Sequence, residues 1–177
     1  MTSPALKSNR LATAYRRYLS TADSATFAWE VDEHYSQLTL LTLLSRGESE
    51  TRRAAALALG ILGNKRAISS LARALNDKDR GVRLSADDSF RAILLRDCAP
   101  VHHQYLLRVM HFNDGGEYQD AFSLAEELVS LNPRFAEAQH QLAISWHGMG
   151  NHFQAEGVYR ACLWHCRFHY PAWQGMA

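Results

Sequence analysis

Apolar residues recur along this chain at intervals of three and four, the period of amphipathic helices. Leu11, Ala14, Tyr15, Tyr18 and Leu19 form one stripe, which predicts a helix before residue 20. Phe27 and Val31 mark a second helix, and Leu40, Leu43 and Leu44 a third. Leu59 and Leu62, then Leu71 to Leu75, then Phe90 and Ile93 continue the series. The breaks carry their own signals. Gly63-Asn64 is a helix stop, and Asn76-Asp77 with Asp79 precedes the next start.

The stripes also repeat. In the front half Thr51-Arg52-Arg53-Ala54-Ala55 aligns with Val82-Arg83-Leu84-Ser85-Ala86, a period of 31 residues. Leu40 and Leu43 align in the same way with Leu71 and Ala74. This predicts two helix pairs, at 20–45 and 51–76, and a lone first helix at 81–95. Asp87-Asp88 breaks the apolar pattern and is expected on an exposed face. In the back half the period is 34: Gly116 returns as Gly150, Ala121 as Ala155 and Ala138 as Ala172. Repeats of this length are supersecondary units that bury their apolar faces only by stacking.

The run Arg52 to Gly63, with Ala67-Ile68 through Leu75 and the next opening at Val82-Arg83, resembles the HEAT repeat, in the short form shared with bilin lyases. Its alanines let helices approach closely at little entropic cost. Leu142, Ala143, Trp146, Gly150, Ala155, Tyr159 and Cys162 resemble the tetratricopeptide repeat in order. An earlier copy is carried by Tyr118, Ala121, Ala125, Leu131 and the stop Asn132-Pro133, though its first helix at 101–113 has Arg108 where leucine is usual. Ala172 and Trp173 open a third copy. Together the resemblances imply an all-α fold, a right-handed α-solenoid of antiparallel helix pairs. The expected organisation is a capping helix at 1–19, HEAT-like repeats at 20–96 and tetratricopeptide repeats at 100–177.

Composition changes this picture little. The chain has 177 residues and a formal net charge of +1. Residues 45–96 nevertheless hold eleven basic side chains against six acidic ones, while residues 100–177 hold four against seven. The basic front makes a polyanion-binding face conceivable, through Arg52, Arg53, Lys65, Arg66 and Arg73. Aromatic residues do not interleave that stretch, so stacking platforms for nucleic acid are missing. Pairing of Arg52 or Arg83 with Asp77 or Asp79 between repeats explains the same residues. The first residues lack the apolar core of a signal peptide, and no apolar run is long enough to span a bilayer. A cytoplasmic protein with reduced Cys98, Cys162 and Cys166 is the expectation.

The tetratricopeptide resemblance also implies a binding face, built from the first helix of each pair. Here it would comprise His103, Leu106, Leu107 and Met110, with Glu137, His140, Gln141, Ile144 and His147. Such a groove suits a short helix or an extended peptide. His140 and Ile144 occupy places where the family's chaperone-tail clamp uses basic and amide groups, which argues against that ligand. A second candidate chemistry is metal. Cys162, His165, Cys166 and His169 share a helical face, but the spacing is no zinc-finger signature and a plain helix end explains it better. No phosphate loop, dinucleotide fingerprint or catalytic constellation occurs. The sequence therefore points to a non-catalytic adaptor without a cofactor, holding a protein or peptide. Self-association through the exposed face of the last helix is a further expectation. Binding of nucleic acid by the basic front and a bilin-lyase-like activity are the alternatives.

Overall fold

The computed structural model describes residues 4–177, and side chains from Lys7 onward. Residues 1–3 of the expected capping segment lie outside that range. Among the described residues there are eleven α-helices, one short 3-10 turn and no strand. They divide into two compact units, the first ending at Ile93 and the second running from Leu94 to Ala177.

The first unit contains α1 (Pro4–Thr21), α2 (Ser24–His34), α3 (Gln37–Arg46), α4 (Ser49–Leu62), the turn Lys65–Ala67 and α5 (Ile68–Ala74). It also takes most of α6 (Arg80–Arg96). Side-chain caps set the starts of α2, α3 and α6. Asp23 accepts the Thr26 N–H at 3.0 Å, and Ser36 accepts that of Thr39 at 3.2 Å. Asp79 accepts the Val82 N–H at 2.9 Å in the first turn of α6. Gly47 and Gly63 close α3 and α4.

The 31-residue period is visible as matched burial. Ala55 and Ala86 are both sealed, as are Leu59 and Phe90. Small residues let α4 and α6 touch backbone to backbone: a Cβ on Gly60 would fall 2.7 Å from Ser89 Cβ and 3.0 Å from its Cα. The apolar pattern overstates burial at a few sites. Leu19 is exposed although it continues the apolar stripe of α1. Leu62 is partly exposed where its 31-residue counterpart Ile93 is buried.

The second unit contains the end of α6, α7 (Pro100–Asp114), α8 (Tyr118–Leu131), α9 (Ala136–Gly148), α10 (His152–His165) and α11 (Tyr170–Gly175). Short connections make successive helices antiparallel neighbours. Each of α7 to α11 packs on the next, and α9 also meets α7 and α11. Gly116 and Gly150 end the first helix of each pair at φ +77° and +78°, a backbone region costly for any residue with a Cβ. Ala121, Ala155, Ala138 and Ala172 are all buried, as the 34-residue period expects. Phe122 meets Trp146 edge-on, with ring centroids 4.5 Å apart, between the two pairs. Met176 packs on the cluster containing Tyr159 and Leu163, while Trp173 remains about half exposed.

Candidate functional site

Helix α9 is the centre of the second unit. Phe135 and every residue from Ala136 to Ala143 are buried, so no turn of its first half faces water. Alanines at 136, 138 and 143 admit the neighbours closely, yet Glu137, Gln139, His140, Gln141 and Ser145 are buried beside them. Polar groups in such a place require partners; Gln139 Nε2 donates to the Pro133 carbonyl at 2.6 Å while its Oε1 is left without one, and the other four find theirs in a connected chain. Ser145 Oγ donates to Asn113 Oδ1 at 2.9 Å. Asn113 Nδ2 donates to the Gln141 carbonyl and to its Oε1, each at 3.0 Å. Gln141 Nε2 donates to Glu137 Oε1 at 2.9 Å. Glu137 then meets His140 Nδ1 at 3.2 Å and His169 Nε2 at 3.0 Å.

His169 closes the chain. It is fully buried and caps α11, its Nδ1 accepting the Ala172 N–H at 3.2 Å. An acceptor nitrogen carries no proton, so the proton of the neutral ring sits on Nε2 and points at Glu137. The network thus runs from α7 through α9 to α11. Burial pushes the Glu137 carboxyl up, but the hydrogen bonds from His140 and His169 outweigh it. The carboxyl is held well below its ordinary range and stays ionised. The His140 ring lies 4.6 Å from that of His169 and 6.0 Å from that of Tyr159, centroid to centroid.

This geometry sorts the residues expected in a groove. Leu106, Glu137, His140 and Gln141 are buried, Leu106 completely. They lie inside the unit, where no partner reaches them in this conformation. The reason is that α7 supplies Asn113 over one side of α9 while His169, ahead of α11, covers another. Leu107 is 47% exposed and His147 is exposed, with Met110 and Ile144 half-buried. His103 is half-buried, its Nδ1 lying 3.1 Å from the Leu95 carbonyl. Asn113 and Ser145 belong to the network and were not singled out by sequence. The signal that could have found part of it is Glu137-x-x-His140, two ionisable groups one turn apart on a helix.

The four residues considered for metal do not gather. Cys162 and His169 are buried, Cys166 is half-buried at the end of α10, and His165 is exposed. Desolvation pushes all three thiols up, Cys162 furthest, with Glu137 adding to the effect there.

The basic side chains of the first unit are largely committed. Arg52 makes a two-pronged contact with Asp77 at 2.8 and 2.7 Å and donates to the Gly47 carbonyl at 2.9 Å. Arg53 grips Asp79 at 2.8 and 2.5 Å. Arg83 donates to the carbonyls of Asp77 and Lys78, rather than to a carboxylate. Arg73 donates to Ser70 at 3.1 Å, and Lys65 and Arg66 lie exposed in the 3-10 turn. Asp87 is half-buried and pairs with Arg91, while Asp88 is exposed. A cleft of about 540 Å³ opens where α2 ends, α3 begins and α4 ends, with Asp32 and Glu33 among its lining residues.

Fold and site together define an all-α protein of stacked helix pairs, consistent with the α-solenoid class. Residues 25–109, just under half of the chain, match the family model for HEAT repeats. That segment runs from α2 into α7, beyond the 96 at which the sequence pattern ends the HEAT-like part. No match was found among curated proteins or among solved structures. HEAT repeats in general serve as protein–protein interaction scaffolds. Among the described residues no helix is long and apolar enough to cross a membrane.

Proposed function

We propose that the chain is a non-catalytic adaptor, that residues 100–177 are tetratricopeptide repeats, and that these hold a segment of another protein against the first helices of their pairs. The repeat reading is supported by Gly116 and Gly150, 34 residues apart with nearly equal positive φ, and by the sealed alanines at matching places. The binding reading is carried by one observation: Leu107 stays 47% exposed on α7, next to Leu106 and Val109, through which that helix is buried. Met110 on α7, with Ile144 and His147 on α9, extends the accessible set. Glu137, His140 and Gln141 support this surface from inside and do not touch the ligand.

Two alternatives have less support. Polyanion binding by the first unit would have to recruit Arg52 and Arg53 out of their contacts with Asp77 and Asp79. A bilin-lyase-like activity would need a reactive thiol, and burial disfavours the thiolate at all three cysteines.

The test is an affinity capture comparing the wild-type chain with Leu107→Glu and His147→Glu, each first checked for native helix content. Loss of the same captured partners from both variants is expected. Partners retained by both refute the assignment of the surface. A shift in mobility of a nucleic-acid probe at low salt would instead establish the polyanion reading.

A further inference from the structure

We propose that Glu137, His140 and His169 form a binding site for one divalent transition-metal ion of the zinc class, which ties α11 to α9. One ligand atom from each of the three residues lies within 4.8 Å of the others, and all three residues are buried. His169 Nε2 lies 3.0 Å from Glu137 Oε2 and His140 Nδ1 lies 3.2 Å from Glu137 Oε1, so each imidazole faces its own carboxylate oxygen at a spacing close to that of neighbouring ligands around an ion with bonds of about 2.0–2.1 Å. Two imidazoles and a carboxylate are the borderline donor set that zinc favours over calcium or magnesium. Glu137 and His140, three apart on α9, are placed as helices place two ligands on one ion.

The surroundings fit the same role. Gln141 Nε2 donates to Glu137 Oε1, and Asn113 in turn holds Gln141, so the carboxylate is oriented from outside the ligand set. The third ligand comes from the cap of a six-residue helix, too short to persist without an anchor.

Hydrogen bonds alone would give the same distances, so the protons distinguish the two cases. In the metal-free chain the Nε2 proton of His169 occupies the place of the ion. On binding, that proton moves to Nδ1, the Nε2 lone pair takes the metal, and the cap to Ala172 is released; the His140 proton moves likewise from Nδ1 to Nε2, freeing the Nδ1 lone pair for the ion. The cap, at 3.2 Å, and the His140 contact are the longest bonds of the network.

The experiment uses the full chain, stripped with a chelator and titrated with cobalt(II), then zinc. Expected are uptake of one equivalent, the visible spectrum of low-coordinate cobalt, its replacement by zinc and a raised Tm. His169→Asn keeps a side chain able to cap α11 but removes the ligand, and Glu137→Gln removes the charge; both should abolish uptake. Gln141→Leu should weaken it about 10- to 100-fold. His165→Ala and His147→Ala should leave it unchanged, the latter excluding the exposed His147–His152 pair. In the wild-type chain, long-range proton–nitrogen spectra should show metal at His169 Nε2 and the proton at Nδ1. No stoichiometric uptake, uptake surviving His169→Asn, or a His169 tautomer unchanged by zinc overturns the proposal. Partner capture that persists without metal leaves the adaptor reading standing by itself.

Discussion

Gly60 and Gly157 both lie inside helices, yet alanine should act on them with opposite sign. At an unobstructed helix-interior site, alanine is favoured over glycine by about 1 kcal/mol. A Cβ at Gly157 meets nothing within 4 Å, so the full gain applies, with a rise in Tm of about 2–4 °C for a chain of this size. At Gly60 the same Cβ falls 2.7 Å from Ser89 Cβ and 3.0 Å from Ser89 Cα. The serine hydroxyl can rotate away, but its Cα is backbone and can only yield if α4 and α6 separate. Overpacking of this kind costs about 1–3 kcal/mol, and a backbone obstacle places it in the upper part of that range. Subtracting the propensity gain leaves a net loss of about 1–2 kcal/mol. Urea denaturation followed by circular dichroism measures both, and amide exchange in α4 and α6 locates the loss. Adding Ser89→Gly to Gly60→Ala should recover part of it, because the Cβ and hydroxyl are gone. If Gly60→Ala proves as stabilising as Gly157→Ala, the close approach of α4 to α6 is wrong.

Gly150 is also open around its Cβ but sits at φ +78°, so Gly150→Ala should lose about 1–2 kcal/mol from backbone strain alone, read as a lower urea midpoint. Arg52→Ala leaves Asp77 partly buried without its two-pronged partner and should destabilise the first unit by about 3 kcal/mol, with Arg52→Lys recovering only part of that in the same assay. Arg52 and Arg53 hold the carboxyls of Asp77 and Asp79 below their ordinary range, so the folded values lie below the unfolded ones. The stabilisation is therefore complete above about pH 4 and is lost as pH falls through the folded values; urea midpoints at about pH 5 and about pH 3 should differ, and less so in Asp77→Asn. Cys162 should react with a thiol reagent near neutral pH far more slowly than in denaturant, as burial disfavours its thiolate; equal rates would contradict its place in the core.

Legibility in the sequence followed residue type. Helix α4 was readable because its alanines, its apolar spacing and the stop at Gly63 agree, and Asn64 then starts the 3-10 turn by accepting the Arg66 N–H at 3.0 Å. Leu19 misled in the opposite way, since an apolar side chain can stay exposed without penalty to the fold. The buried network escaped because periodicity equates polar with exposed. Glu137, Gln141 and His140 satisfy their groups with one another, with Asn113 and with His169, and the last two lie too far along the chain for a helical period to join them to α9. Glu137, His140 and Gln141 were placed in the groove for the same reason: a pattern places a residue on a helix face but cannot say that the next helix covers it.

The forks Arg52–Asp77 and Arg53–Asp79 each join α4 to the segment between α5 and α6. In a stack where every repeat touches only its neighbours, such clasps make adjacent repeats melt together instead of fraying one at a time. A pull on the beginning of α6 would therefore load both forks at once, and that junction should resist stretching as a single mechanical unit.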